Sequence, residues 1–415
     1  MIDHRGLGQV LRVREFRAVW LADLLSVTGD QLARVALSVL VYGRTGSATW
    51  AAATYALTFL PAIVGGLLLS GLADRYRRRE VLVVTDVTRA VLVGVMAIPN
   101  LSLLALCVLL VLVVLLSAPY SAARGALIPE MLPGELYERG LAVIQMTGQA
   151  AQVVGFAAGG LLVAVFSPSS ALALNALTFL LAGIVIRLGL RSRPRPLQTP
   201  SSAGLRGSLR EMFAGVVDIA TDPRRRALVA LVWMVGLYVV PEALAAPYAA
   251  ELGAGTAAVG LLMAADPVGS VLGAWLFIRF VPADRRARLI GVLAVAAGVP
   301  LLFTVFQPGV PAAILLWGAS GALSTAYVMQ AQASFVRATS DELRGRAIGV
   351  AASGILAGQG VAVLVGGVFA DLWTSSMSIA VCAAAGVVIA AAGALAWSRA
   401  QAPSCPGLPR SVPVT

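Results

Sequence analysis

Long apolar stretches alternate with short polar ones along nearly the whole chain. A helix needs about 20 mostly apolar residues to cross the hydrocarbon core of a bilayer, and twelve stretches approach or exceed that length. The pattern therefore predicts an all-α integral membrane protein with twelve transmembrane helices, over residues 18–42, 49–73, 81–99, 101–123, 140–166, 171–190, 228–250, 257–278, 289–306, 312–336, 346–370 and 377–397.

The longest polar interruption, residues 191–226, separates the first six apolar stretches from the last six. The sequence thus predicts an N-terminal segment (1–17), a six-helix half (18–190), a linker (191–226), a second six-helix half (227–398) and a tail (399–415). Part of the linker alternates apolar with charged residues at helical spacing. It is either a short helix on the membrane surface or a plain connector. Its apolar positions are Leu205, Leu209, Met212, Phe213 and Val216.

An internal repeat links the two halves. Gln152, Gly159 and Gly160 reappear 207 positions later as Gln359, Gly366 and Gly367. Two further matches keep the same order, with Glu135–Leu136 returning at 342–343 and Ala73–Arg75 at 283–285. Two six-helix halves in parallel orientation are the simplest explanation, and such repeats are typical of secondary transporters.

Charge predicts the orientation. All 31 basic residues are arginines. Of these, 28 lie in seven stretches on one side of the predicted bundle: the N-terminal segment, every second connection between apolar helices, and the tail. Arg44 is the single arginine on the opposite side, and Arg34 and Arg89 lie within helices. Since basic loops stay in the cytoplasm, we expect a multi-pass protein of the cell membrane with both termini cytoplasmic. The net charge of +11 follows from these loops and does not indicate a nucleic-acid partner.

Several kinds of chemistry lack the residues they require. A phosphate-binding loop of the Walker type needs a lysine, and the chain has none. The single histidine, His4, lies near the N-terminus, and the three cysteines, Cys107, Cys382 and Cys405, show no disulfide or metal-ligand spacing. We therefore expect no enzyme activity, no metal and no cofactor.

The connection between the second and third apolar stretches carries the most specific motif. It reads Ser-Gly-Leu-Ala-Asp-Arg-Tyr-Arg-Arg-Arg-Glu over residues 70–80. This resembles the signature loop of the major facilitator superfamily, G-x-L-A-D-R-x-G-R-R, with Ser70 and Arg77 replacing its two outer glycines. The form D-R-x-x-R-R followed by Asp86 is similar to the branch of macrolide-efflux and enterobactin-exporter-like proteins.

The resemblance implies a conformational latch between the two halves, formed by Asp74, Arg75, Arg78 and Arg79. Asp86 and Arg89 would be structural partners of that loop. The alternative is that these arginines only anchor the topology. Gly155, Gly159 and Gly160 are similar to an antiporter motif of the superfamily, although Phe156 stands where that motif has proline. Close helix packing, in which Gly366 and Gly367 would share, is an equal alternative.

Charged residues inside the apolar stretches are the strongest physical signal, because each must face the bundle interior or water. Asp23, Asp30 and Arg34 lie within about 40° of one another on the first helix. Asp30 and Arg34 can pair, either permanently or only in one state. Glu242 follows Pro241, which predicts an interrupted seventh helix, and Asp266 has no arginine nearby in sequence. These five residues are the candidates for proton coupling.

Polar and aromatic residues on the fourth, seventh and tenth helices are candidates for substrate contact: Ser117, Tyr120, Trp233, Tyr238, Tyr327 and Gln330. The resemblance implies a monomeric secondary transporter that exports small organic molecules such as a drug, antibiotic, siderophore or secondary metabolite, with H⁺ as the coupling ion. The alternatives are a nutrient importer or uniporter of the same superfamily, and a membrane sensor without transport activity.

Overall fold

The computed structural model describes residues 8–194 and 205–401, which form helices joined by short connections, with no strand among them. His4, Cys405, the first seven residues and most of the tail lie outside these ranges. The first half contains six helices. They are α1 (Arg14–Thr45), α2 (three segments, Ala48–Ala56, Leu60–Leu69 and Leu72–Arg75), α3 (Arg78–Met96), α4 (Leu103–Met131), α5 (Glu135–Val165) and α6 (Pro168–Gly189).

A linker helix (Leu205–Thr221) precedes the second half. Six further helices follow. They are α7 (Pro223–Trp233, a 3₁₀ turn at Met234–Tyr238, then Val240–Ala243 and Ala245–Glu251), α8 (Thr256–Phe280), α9 (Ala283–Leu302, extended by a 3₁₀ turn at Phe303–Phe306), α10 (Val310–Arg337), α11 (Asp341–Leu372) and α12 (Ser375–Gln401). The predicted twelve-helix architecture is confirmed.

Eleven of the described helices are long and apolar enough to cross a bilayer. The exception among the twelve is α3, whose 19 residues include five charged ones. It nevertheless packs along α6 and α4, and its two mid-helix charges, Asp86 and Arg89, are buried. Many large apolar side chains of the bundle are exposed, among them Leu104 at 74% and Leu188 at 75%. Such a surface suits lipid and not water, so the chain is a multi-pass membrane protein.

The two halves meet along two seams, α5 against α8 and α2 against α11. Glycines of the sequence repeat lie at equivalent places in both seams. Gly160 contacts Gly260 of α8, and its repeat partner Gly367 contacts Ala52 of α2. Gly159 packs on Val35 of α1, as Gly366 packs on Val240 of α7. The repeat seen in the sequence is therefore a repeat of packing positions.

The bundle has two chemically distinct ends. The arginine-rich end carries the linker helix and the α2–α3, α4–α5, α8–α9 and α10–α11 connections; we call the other end the far end. The linker helix packs on α11 through Gly215, which contacts Val350. Its other face exposes Phe213, Val216 and Val217. A helix therefore forms in this part of the linker, and its exposed apolar side suits the membrane surface.

Helix α7 is interrupted where the sequence predicted it. A 3₁₀ turn ends at Tyr238, and short helical segments begin beside Pro241 and before Pro247. Proline removes a backbone donor and clashes with the preceding turn, so the regular helix cannot continue. The interruption places Glu242 at the seam between the halves.

Candidate functional site

The predicted latch residues do not bridge the halves in this conformation. Asp74 and Arg75 are exposed at the arginine-rich end, and no ion pair involves Asp74 within the described residues. Arg78 instead pairs with Glu130 of α4, and Arg79 donates to the carbonyl oxygen of Leu190 at 3.2 Å. All of these contacts lie within the first half and the start of the linker.

The resemblance implies that Asp86 and Arg89 are structural partners of the signature loop, whereas in this conformation Arg89 pairs with carboxylates of α1 and α3. Arg89 lies inside the first half, 3.1 Å from the Oδ2 of Asp30 and 4.0 Å from the Oδ1 of Asp86. Its guanidinium also lies 4.1 Å from the ring centroid of Phe179 on α6. The side chain of Asp86 is fully buried, so Arg89 is the cation that compensates two carboxylates within the bundle.

The pair that the spacing allows between Asp30 and Arg34 is not formed in this conformation. Asp30 turns to Arg89 of α3, because a buried guanidinium requires counter-charges more than the half-buried Arg34 does. Arg34 lies one turn closer to the far end. There it stacks 5.6 Å from the ring centroids of both Tyr55 and Phe59. The two residues thus belong to two different clusters.

Tyr55 joins the halves. Its hydroxyl donates a hydrogen bond to the Glu242 carboxylate at the interruption of α7, while Arg34 lies against its ring. Arg34 and Tyr55 come from α1 and α2, and Glu242 comes from the second half. A change in the charge of Glu242 would therefore act directly on the contact between the halves. No local pattern marks Tyr55, which is an isolated tyrosine in an apolar stretch.

Asp23 is paired with Arg124 of α4. The apolar pattern ends the fourth helix at residue 123, which would place Arg124 at its cytoplasmic end. In the structure α4 continues to Met131, so Arg124 lies about two turns inside it. Arg124 is therefore a functional candidate that the apolar pattern does not reveal, because a charged residue looks like the end of an apolar stretch.

Asp266 lies on α8 beside Gly321 of α10, where any side chain would meet its carboxylate. One turn further along α8, the Ser270 hydroxyl accepts a hydrogen bond from the Thr325 hydroxyl at 2.7 Å. Asp266 is half-buried and makes no ion pair within the described part of the chain. Its neighbours are the Ser270 hydroxyl, the backbone of α10 and the like-charged Glu242 of α7, with no arginine among them.

A cavity of about 120 Å³ opens beside the ion pair between Asp30 and Arg89. Asp30, Arg34, Arg89 and Asn175 line it, and so does Ser117, one of the predicted substrate contacts. It is small for an organic substrate. In this conformation the cavity is therefore a small chamber between α1, α3, α4 and α6, in which the charged groups face apolar side chains such as Met96 and Leu172.

The other predicted substrate contacts occupy packing positions. Trp233 donates to the carbonyl oxygen of Ala351 at 3.0 Å, and Tyr238 donates to that of Ala294 at 2.9 Å. Gln330 makes a 3.4 Å contact with Ser334. The hydroxyls of Tyr120 and Tyr327 are buried without a hydrogen-bond partner in the described part of the chain, so each has an unused hydrogen-bonding group inside the bundle.

Polar contacts close the α2–α11 seam at the far end. Asp371, at the end of α11, accepts hydrogen bonds from the N-terminus of α2: the Ser47 hydroxyl at 2.5 Å, the Ala48 amide at 2.6 Å and the Thr49 amide at 3.0 Å. A carboxylate is favourable at a helix N-terminus and unfavourable at the end of its own helix. The sequence signal for Asp371 is that an acidic residue stands at the end of an apolar helix.

Comparisons with known proteins agree with this architecture. The family model of the Major Facilitator Superfamily matches residues 19–242. A sequence comparison with curated proteins finds no significant match. Among solved structures, the chain is similar to a bacterial homologue of the human lysosomal transporter Spinster in an inward-facing, occupied conformation, with 14% identity, a TM-score of 0.71, and 93% of this chain and 96% of that chain covered.

Two further structures have the same fold. The nucleoside transporter NupG has 13% identity and a TM-score of 0.72, with 92% of this chain and 99% of that chain covered. A POT family transporter in complex with a thioalcohol-conjugated peptide has 11% identity and a TM-score of 0.74, with 94% and 97% covered. The family match extends over more than half of the chain, and family and fold both point to a transporter and not an enzyme. The chain belongs to the Major Facilitator Superfamily of membrane transporters.

Proposed function

We propose that this protein is a monomeric secondary active transporter that exports small, amphipathic organic molecules from the cytoplasm in exchange for protons. The carrying observation is the charge arrangement that continues from the first half to the second, in which Arg34 and Tyr55 face Glu242. One charge cluster lies inside the first half, beside Arg89, and the other spans the seam, so these groups can change partners when the halves rock. The similarity of the D-R-x-x-R-R loop to exporters supports the direction.

The direct test is a panel of drugs, antibiotics, siderophores and metabolites offered to proteoliposomes with an imposed pH gradient. We expect at least one amphipathic compound to move against its gradient, with protons moving the opposite way. The competing function is import or facilitated diffusion of a nutrient, which the structural likeness to NupG brings into consideration. Uptake with protons, or equilibration without any pH response, would establish that alternative. A sensor would move no compound.

The proposed topology places the arginine-rich end in the cytoplasm. In a cysteine-free background, Ala220→Cys on the linker helix should resist an impermeant thiol reagent in intact cells and react after lysis. Ser170→Cys at the far end should react without lysis. Both positions are exposed, so accessibility alone decides the outcome. Labelling of Ala220→Cys in intact cells would show that the orientation is the opposite of the one proposed.

The latch prediction concerns Asp74. Asp74→Asn keeps the shape of the side chain and removes its negative charge. In the other conformation of the transport cycle that charge would pair with arginines of the loop region. We expect transport to fall by about tenfold while the amount of protein in the membrane is unchanged. Glu80→Gln, a neutralised carboxylate six residues away, is the matched control. Wild-type rates for Asp74→Asn would leave the loop only a topological role.

Two carboxyl groups are proposed as proton sites, Asp30 beside Arg89 and Asp266 among hydroxyls. Apolar surroundings favour a neutral carboxyl and a neighbouring cation favours a charged one, so rocking that alters these contacts would bind and release a proton. Asp30→Asn and Asp266→Asn are compared by counterflow and by gradient-driven transport. A coupling site, once neutralised, should lose the response to the pH gradient and retain exchange. Unchanged pH dependence in both variants would place the proton elsewhere.

A further inference from the structure

A second cavity, separate from the one lined by Asp30 and Arg89, lies at the arginine-rich end of the first half. It measures about 440 Å³ and forms where α3 begins, α4 approaches its end and the chain leaves α6. We call it the arginine pocket, and its lining residues are Arg78, Arg79, Leu127, Glu130, Arg191, Arg193 and Pro194.

The charges of the arginine pocket do not balance. Arg78 pairs with Glu130, and Arg193 lies 3.5 Å from the same carboxylate. Glu15 accepts from the Arg193 side chain at 2.5 Å and from the Arg191 amide at 3.0 Å. Two carboxylates therefore face four guanidinium groups, which leaves two positive charges without a counter-charge within the described residues.

Hydrogen bonding is incomplete in the same place. The Nε atoms of Arg78 and Arg79 and the Nη1 of Arg193 are buried and have no hydrogen-bond partner among the residues that the structure describes. All three belong to side chains that line the pocket. Buried charged donors without acceptors are costly to a protein. Guanidinium groups from both α3 and the start of the linker thus have unused donors beside the pocket.

The backbone adds to this preference for an anion. Arg78 and Arg79 occupy the first turn of α3, whose free N–H groups form the positive end of a 19-residue helix. Cations at that end are unfavourable, whereas an anion there is favoured. A phosphate group supplies the required features together, namely up to two negative charges and several acceptor oxygens that guanidinium groups bind in bidentate fashion.

We propose that the arginine pocket binds a phosphate group, carried by an anionic phospholipid or by a soluble phosphorylated molecule. The bound group connects Arg78 and Arg79 of α3 with Arg191 and Arg193 of the linker. It therefore holds the start of the linker against the first half and keeps two arginines of the signature loop on that side. The site does not depend on the transported substrate.

The test measures binding to purified full-length protein by native mass spectrometry. Phosphatidic acid and glycerol 3-phosphate carry the same phosphomonoester, one in a lipid and one in water; phosphatidylcholine is the zwitterionic control. Arg79→Gln and Arg193→Gln should each weaken binding by about tenfold. Arg285→Gln, an exposed arginine of the α8–α9 connection, should leave it unchanged. Retention of phosphatidic acid alone identifies a lipid ligand, and retention of glycerol 3-phosphate identifies a soluble one.

A gain-of-binding variant separates this proposal from damage to the fold. Glu130→Gln removes the carboxylate that Arg78 and Arg193 share, so the phosphate should bind about three- to tenfold more tightly. A misfolded variant would not bind more tightly. Equal or weaker binding by Glu130→Gln overturns the proposal. So does retention of neither phosphate probe, or equal binding by wild type and the Arg79→Gln/Arg193→Gln double variant.

Discussion

Replacing Gly160 with valine should reduce transport at least about tenfold while leaving a folded protein in the membrane. At this position a Cβ atom would lie 2.7 Å from the Cα and 2.8 Å from the amide nitrogen of Gly260, and 2.9 Å from the carbonyl oxygen of Ala257. All three are backbone atoms of α8, so no side chain can move aside. The variant can relieve the clash only by separating α5 from α8 at the far end.

Gly148→Val on the same helix is the matched control, because a Cβ there meets nothing within 4 Å. We expect it to transport at near wild-type rates in the same vesicles, with whichever substrate the panel identifies. Spin labels across the far end should also show a longer distance in Gly160→Val than in the control. Normal transport by Gly160→Val would mean that the far end need not close during the cycle.

Removal of the Arg89 charge should have the largest effect on stability. Its side chain is 6% exposed and compensates both Asp30 and the fully buried Asp86. Arg89→Gln leaves two carboxylates in the bundle without their cation, and breaking a buried charge pair in this way costs about 3–5 kcal/mol. We expect a lower melting temperature in detergent and loss of transport. Arg187→Gln, at an exposed position, should change neither.

A double variant shows whether charge is the cause. If the cost of Arg89→Gln comes from uncompensated carboxylates, adding Asp86→Asn should recover a large part of the lost stability. Non-additive effects in this double-mutant cycle would measure the coupling between the two residues. Additive losses would indicate instead that Arg89 contributes through its packing on Phe179.

The fold was predictable because the bilayer imposes helical length and arginine placement, and these are local properties of the sequence. Even α3, with five charged residues, stands out as an apolar stretch between polar connections. Helix ends were harder to place. The fourth stretch was expected to end at residue 123, but Asp23 compensates Arg124 and allows α4 to continue to Met131.

The charged residues of the site could be named from the sequence, but their partners could not. Spacing on α1 allows Asp30 to pair with Arg34, yet the choice between Arg34 and Arg89 depends on how α3 packs against α1. Likewise, Tyr55 donates a hydrogen bond to a residue that lies 187 positions away in the sequence. Asp371 accepts hydrogen bonds from residues that lie 322 to 324 positions away. Such contacts are set by the docking of the halves, which no local pattern describes.

The most direct test of the account measures both ends of the bundle in one protein. Spin labels at Ser170 and Phe306 report the separation of the halves at the far end, and labels at Glu138 and Arg285 report it at the arginine-rich end. All four positions are exposed. Addition of substrate or a change of pH should lengthen one distance while it shortens the other, as rocking of two rigid halves requires. Distances that stay fixed, or that lengthen and shorten together, would contradict alternating access by this chain.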